Sequence, residues 1–191
     1  MISLYDAFMF PLESMGIKKA RKSLVPTVSG RVLEIGSGTG SNIPYYNMEQ
    51  IEELIVSDYH VKSRLKKRAN KKATILELDV QNLPFPDDTF DFVIHTLVFC
   101  SVEDVDQGLQ EIRRVLKPSG TLLFIEHVLP EGKRLKKFAN KVNPTWTKMS
   151  SGCNLNRNFK NALLRNNFEI LRLDKFMKTV FEYGVARPIT L

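Results

Sequence analysis

Cysteine and tryptophan are both scarce in this sequence, with two of the first and one of the second in 191 residues. Cys100 and Cys153 stand far apart, with neither metal-site spacing nor enough partners for a disulfide framework. A reducing cytoplasm and no bound metal are therefore expected. No stretch approaches the ~18 consecutive apolar residues that span a bilayer. No charged-then-apolar leader is visible at the N-terminus either. Acidic residues are outnumbered, 21 against 28 Lys and Arg, giving a formal charge of +7. Such an excess tolerates nucleic acid, anionic lipid or an acidic small molecule and selects none of them. Internal repeats and low-complexity tracts are missing, which leaves a single domain over 1–191. Its 43% of hydrophobic residues suffice for a real core.

What is present turns on Gly30 to Gly40. Val32-Leu33-Glu34-Ile35 is a short β-branched and aliphatic run of the buried-strand type. Three glycines follow at alternate positions, Gly36, Gly38 and Gly40. Without a Cβ the backbone can turn through positive φ, and a ligand can lie directly against it. The pattern Glu34-x-Gly36-x-Gly38-x-Gly40 differs from the dinucleotide fingerprint G-x-G-x-x-G. A helix-like stretch is expected to about Tyr46. Glu53 to Asp58 then reads as a second strand ending in an acid, and an acid some twenty residues past such a loop can accept from both ribose hydroxyls.

The segment 61–72 is basic without interleaved aromatics, as a solvated helix face is. Thr74 to Asp79 is a third strand, again ending in an acid. Pro84 and Pro86 break the chain before a fourth strand, Phe92 to His95. Ser101-x-x-Asp104 resembles a capping box for a helix with Val105, Leu109, Ile112 and Val115 on one face. Pro118-Ser-Gly120 is expected to stop that helix before a fifth strand, Thr121 to Glu126. Phe168 to Leu173 and Thr179 to Ala186 then form an antiparallel hairpin. The alternation predicts an α/β, Rossmann-like, doubly wound and mostly parallel seven-stranded sheet with an antiparallel C-terminal hairpin.

Two pieces flank this plan. In 1–25, Ile2, Tyr5, Phe8, Met9 and Leu12 recur at helical spacing before Lys18, Lys19, Arg21 and Lys22. A helical lid over the sheet or the mouth of the site is expected there, with an interfacial segment as the alternative. The insert 128–156 holds Lys133, Arg134, Lys136, Lys137 and Lys141 opposite Leu135, Phe138 and Val142, and is expected near an acceptor site. His127, directly after strand five, is the candidate base or orienting group, with Glu126 beside it. Arg157 is a candidate partner for an acidic acceptor group, and Trp146 and Asn154 are placed with it on the acceptor side. Cys100 reads as a core residue, and Cys153 as part of a polar loop.

Four segments in order resemble the motifs of class I S-adenosylmethionine-dependent methyltransferases of the type 11 group. They are Glu34-x-Gly-x-Gly-x-Gly40, Asp58, Asp79-Val80 before Leu83-Pro-Phe-Pro-Asp-Asp-Thr-Phe-Asp91, and Arg114-Val-Leu-Lys-Pro-Ser-Gly120. The resemblance implies S-adenosylmethionine as cofactor and S-adenosylhomocysteine as product. It implies that Glu34 helps hold the cofactor ammonium and that Gly36, Ser37, Gly38 and Gly40 make room for its methionine part. Asp58 and Tyr59 would meet the ribose, Asp79 the adenine amino group, and the Val80 backbone the ring. Leu83 would line the adenine pocket, with His95 and Thr96 near the methyl group.

Thr96-Leu-Val-Phe-Cys-Ser-Val102, Glu126-His-Val128, Asn143-Pro-Thr-Trp146 and Gly152-Cys-Asn-Leu-Asn-Arg157 are similar to thiol S-methyltransferases and bacterial phospholipid-methyltransferase-like proteins. That likeness implies a small-molecule acceptor: a thiol, or an amphiphilic, lipid-like amine or hydroxyl. Membrane-bound members carry an apolar N-terminal anchor, whereas Met1 to Val25 is at most amphipathic, so only transient membrane-surface contact is expected. An RNA methyltransferase and a non-catalytic S-adenosylmethionine-binding protein are the alternatives. The first lacks an Asn/Asp-Pro-Pro-aromatic signature, and nucleic acid is not the expected partner. No obligate protein partner is evident.

Overall fold

The computed structural model describes residues 16–69, 71, 73–150 and 152–189. The apolar positions Ile2 to Leu12, and with them most of the expected lid, lie outside the described residues. Seven strands form one sheet: β1 (Gly30–Ile35), β2 (Ile51–Asp58), β3 (Thr74–Glu77), β4 (Phe90–Thr96), β5 (Leu116–His127), β6 (Phe168–Phe176) and β7 (Phe181–Pro188). Their order is β3-β2-β1-β4-β5-β7-β6. Pairs among the first five strands are parallel, while β7 runs antiparallel to both β5 and β6. The order reverses between β1 and β4, and open parallel sheets bind ligands at the carboxyl edge of such a switch point.

Among the described residues, five α-helices accompany the sheet: α1 (Lys18–Leu24), α2 (Ser63–Ala69), α3 (Val105–Val115), α4 (Lys133–Met149) and α5 (Phe159–Arg165). Strand alternation divides the core in two. Leu33, Val93, Leu122 and Phe124 face α3 and α5, where Leu109, Ile112, Phe159 and Leu163 cover them. Val32, Ile94, Leu123 and Ile125 face the other way, under Ala20 and Leu24 of α1. The described part of the N-terminal segment thus packs on a sheet face.

Three local expectations are corrected. Asp104, not Ser101, caps α3: its side chain accepts from the backbone N–H groups of Asp106 and Gln107, each at 3.0 Å. Ser101 is spent in the preceding turn, where its N–H bonds the Val98 carbonyl. Past Gly40 there is only a single 3-10 turn, Ile43–Tyr45, because Asn42 and Tyr46 fold back to bond Glu34. Pro118-Ser-Gly120 lies inside β5 rather than before it. The strand starts by pairing Leu116 with Phe90 and absorbs the irregularity as a register shift.

Arg114 explains part of the fourth motif. It donates to Glu111 at 2.8 Å, to Asp87 at 2.9 Å and to the carbonyls of Leu83 and Phe85 at 2.9 and 2.7 Å. Glu111 in turn accepts from the Leu83 N–H. This clamp fixes the proline-broken segment that follows β3.

Candidate functional site

The carboxyl edge gathers the glycine loop after β1, Asp58 closing β2, Asp79 just past β3, Thr96 closing β4 and His127 closing β5. Gly36, Gly38 and Gly40 have φ of +64°, +57° and +77°, the left-handed region that glycine enters freely. Their surroundings differ. A Cβ at Gly36 would lie 2.3 Å from Val98 Cγ2, whereas one at Gly38 would meet nothing within 4 Å. The backbone at Gly38 therefore borders open space. Asp58 accepts from the Gly38 N–H at 2.7 Å and from the His60 N–H at 3.1 Å, and Ser37 N–H bonds the Ser57 carbonyl at 2.8 Å. The acid of β2 thus sets the loop's position while staying partly exposed. Tyr59 beside it is exposed.

Glu34 lies beneath the loop, not in it. It is buried, accepts from Tyr46 Oη at 2.6 Å and Asn42 Nδ2 at 3.1 Å, and sits near Arg21. Burial pushes its carboxyl up, against the Tyr46 hydrogen bond and the Arg21 charge. Asn42 also accepts from Arg21 Nη1 and donates to Thr96 Oγ1 at 3.2 Å. Both carboxylate oxygens of Glu34 are thus held by internal donors. Thr96 shares this network.

On the β3 side, Asp79 is partly exposed and accepts from the Gln81 N–H at 2.9 Å and from Gln81 Nε2. The side chains of Val80 and Leu83 are buried and packed in the core under α3. Leu83 therefore backs this region instead of bordering open space.

His95 departs most from its expected place. It faces the opposite side of β4 from Thr96, is fully buried, and packs against Phe99, Phe124 and Phe159 with ring centroids 4.8, 6.3 and 5.2 Å away. A side chain so enclosed does not fit the role of neighbour to a methyl group. Its Nδ1 lies 2.7 Å from Glu126 Oε1, which also accepts from the Val98 and Phe99 N–H groups at 2.9 and 3.0 Å. Glu126 thereby anchors the loop after β4. That loop needs an anchor, since Leu97 holds a φ of +58°, a conformation that costs a branched side chain of order 1–3 kcal/mol. Arg157 Nη1 grips the same loop at the Phe99 carbonyl, 2.8 Å away, and the Asn154 N–H bonds the Cys100 carbonyl at 2.7 Å.

A cavity of about 350 Å³ opens between the end of β5, α3 and α5, lined among others by Phe99, Cys100, Glu126, His127, Arg157 and Phe159. Glu126 Oε2 and His127 Nδ1 are buried and without a hydrogen-bond partner. Such atoms call for a ligand or water to complete them. Burial holds His127 below the usual imidazole range, against the nearby Glu126 charge and a hydrogen bond with the Asn154 backbone. The ring is therefore neutral near pH 7. Arg157 is also drawn down by burial.

Helix α4 braces the loop that precedes Arg157. Its Asn143 accepts from the Leu155 N–H at 2.6 Å, and Thr147 Oγ1 donates to the Cys153 carbonyl at 3.2 Å. Cys100 and Cys153, distant in sequence and both free thiols, lie close enough here to shift one another's ionisation. The Cys100 thiol, with Trp146 and Arg157, holds Cys153 down to about 7, whereas the Cys153 contact and burial push Cys100 up. Asn154 spends its side chain on the Cys100 and Gly152 carbonyls, so it shapes the loop. Sequence reading missed Asn42, Tyr46 and Arg21, whose network no spacing announces. It also missed the proximity of the two cysteines. No helix among the described residues is long and apolar enough to cross a membrane, and no metal-binding cluster is found among them.

Residues 33–124 match a family described as a methyltransferase domain. Thiol S-methyltransferase TMT1A of Homo sapiens is 31% identical over 164 residues, covering 82% of this chain and 67% of that protein. Phosphatidylethanolamine N-methyltransferase of Cereibacter sphaeroides is 26% identical over 130 residues, covering 65% and 64%. The chain spans 62 to 67% of the length of four curated thiol S-methyltransferases that it matches. Among solved structures, an S-adenosylmethionine dependent methyltransferase from Mesorhizobium loti superposes with a TM-score of 0.68 at 19% identity, over 88% of this chain and 96% of that one. This last likeness is one of fold.

Proposed function

From the premise that this chain belongs to the class I S-adenosylmethionine-dependent methyltransferases, we propose that it methylates a small-molecule thiol at the cavity beside β5. The observation that carries the reading is the pair of buried, unpartnered atoms in that cavity's wall, Glu126 Oε2 and His127 Nδ1. Both can accept a hydrogen bond, and Phe99 and Phe159 supply apolar walls around them. A small thiol can donate its one S–H to His127 Nδ1, and Glu126 Oε2 is left for a water or a second donor on the acceptor. The curated relatives named as thiol S-methyltransferases point the same way.

The residues at the carboxyl edge suit the cofactor. Gly38 leaves the uncovered backbone that its methionine part needs, with Gly36, Ser37 and Gly40 completing the turn. Asp58 and Tyr59 would take the ribose, and Asp79 with the Val80 backbone the adenine. Glu34 acts from below, by fixing Asn42 and Tyr46 under the loop, and Thr96 belongs to that support. The bound cofactor supplies an activated methyl carbon on a sulfonium, so the protein's task is alignment and proton removal.

His127 Nδ1 would take the thiol proton. A free thiol near pKa ~8.5 needs only modest help, and a neutral imidazole provides it. Glu126 orients the acceptor and the loop after β4 together. His95 is a positioning residue that acts through Glu126. Arg157 and Trp146 bound the acceptor side, and Asn154 keeps its loop closed.

The test is transfer of a labelled methyl group from S-adenosylmethionine to alkyl and aryl thiols, beside amine and hydroxyl amphiphiles of the same size. Thiols should be methylated, and His127→Gln should lower kcat by about tenfold or somewhat more at pH 7 while cofactor binding persists. Methylation of the amines alone, or a His127→Gln variant as active as the parent, would refute the assignment.

A further inference from the structure

Helix α4 presents a surface that the chemistry above does not use. It carries six basic residues, Lys133, Arg134, Lys136, Lys137, Lys141 and Lys148, and no acid. None of them enters an ion pair among the described residues. The helix's inner side is occupied: Ala139 is buried, and Asn143 and Thr147 bond the loop at 153–155. Its outer side is not. Leu135, Phe138 and Met149 are 38%, 63% and 80% exposed, and they account for three of the seven exposed large hydrophobics among the described residues.

The spacing sorts these residues into stripes. Leu135, Phe138, Val142 and Met149 recur at intervals of three, four and seven, which places them along one line of a helix. Arg134, Lys137, Lys141 and Lys148 repeat those intervals one residue earlier, so a basic stripe adjoins the apolar one. Apolar residues beside a row of long basic side chains form the pattern of a helix that lies flat in a lipid interface. Its apolar stripe sinks among the acyl chains while the cations reach up to phosphates.

We infer that α4 docks this protein reversibly onto the surface of an anionic lipid bilayer. The charge selects an anionic partner, and the aliphatic and thioether side chains select lipid over nucleic acid. A base-stacking surface would call for several aromatics, and the stripe holds only Phe138. Each basic residue near an anionic membrane strengthens binding by about fivefold, and a buried phenylalanine by at least about tenfold. The docking does not rest on the proposed function.

The test uses the full chain without cofactor or acceptor, so that it fails independently of the methyltransferase reading. Vesicles of phosphatidylcholine, alone or with one third phosphatidylglycerol, are floated with the protein. Trp146, the sole tryptophan, reports from α4 itself through quenching by lipids brominated on their acyl chains. Binding is expected to the anionic vesicles only, with quenching, and to be stripped by high salt. Lys137→Gln with Lys141→Gln should weaken it about thirtyfold. Phe138→Ser with Met149→Ser should abolish the quenching and weaken binding at least about tenfold. All four side chains are exposed, so unchanged circular dichroism should confirm that the variants fold.

Absence of binding to anionic vesicles would overturn the inference. So would binding insensitive to both pairs of substitutions, which would move the contact elsewhere, for example to residues 1–15. Equal affinity for a short RNA, lost with the lysines but indifferent to Phe138 and Met149, would replace the bilayer with nucleic acid.

Discussion

Alanine at Gly38 separates the cofactor site from the fold. Gly38 has a φ of +57°, where an L-residue is disfavoured by roughly 1–2 kcal/mol. Alanine recovers about 0.4–1 kcal/mol of this by restricting the unfolded chain. Its Cβ would meet nothing within 4 Å, so no steric term is added. The net loss is about 1 kcal/mol, or a fall of about 2–4 °C in Tm for a chain of this size. At Gly36 the φ is similar, +64°, but the added Cβ would lie 2.3 Å from Val98 Cγ2. Overpacking there adds about 1–3 kcal/mol and displaces the loop after β4. Thermal unfolding followed by circular dichroism should therefore show Gly38→Ala near the parent and Gly36→Ala well below it. Calorimetry with S-adenosylhomocysteine should show Gly38→Ala binding at least about tenfold more weakly, because the new methyl group fills space the ligand needs. A Gly38→Ala protein that binds like the parent would refute the reasoning, as would one that unfolds as early as Gly36→Ala.

Three further outcomes follow from the β5 side. Glu126→Ala leaves His95 Nδ1 and the Val98 and Phe99 N–H groups without their acceptor. At about 1–3 kcal/mol each it should lower stability by at least about 3 kcal/mol in urea titrations. Glu126→Gln, which keeps an acceptor, should lose less, and equal losses would show that the loop is not held this way. Cys153, held to about 7, should be alkylated by iodoacetamide with a midpoint near that pH, and the midpoint should rise in Cys100→Ala. A midpoint that stays put in that variant would show that Cys100 does not lower it. For His127, burial lowers the folded pKa beneath the unfolded ~6.5, so the unfolded state takes up the proton first. The associated stability is complete above that value and is lost as pH falls toward the folded pKa. Unfolding measured at pH 7 and pH 5 should show a smaller pH-dependent loss in His127→Gln, and an unchanged loss would remove His127 as its source.

The sheet was readable because each strand declares itself locally. Buried aliphatic runs end in glycine or an acid at the carboxyl edge, and two proline breaks separate β3 from β4. Periodicity does not tell which face a residue takes at a strand's end, and there the reading of His95 failed. His95 and Thr96 are neighbours in sequence but point to opposite sides of β4, one into an aromatic core and the other to Asn42. The Ser101 cap was misplaced because Ser and Asp cap equally well, and only the turn before α3 decides between them. The contacts of Asn42, Tyr46 and Arg21 with Glu34 and of Cys100 with Cys153 join segments far apart in the chain, so no local pattern encodes them. Arg157, expected on the acceptor side, grips the Phe99 carbonyl, another long-range contact that no local pattern encodes.

The central claim is the identity of the molecule at the glycine loop. The most direct measurement is a calorimetric titration of the protein with S-adenosylmethionine, S-adenosylhomocysteine and NAD, repeated on Asp58→Asn, which retains an acceptor for the Gly38 N–H. The first two are expected to bind, at least about tenfold more weakly in the variant through loss of charge-assisted hydrogen bonds to the ribose, and NAD is expected not to bind. Binding of NAD alone, or of none of the three, would contradict the claim.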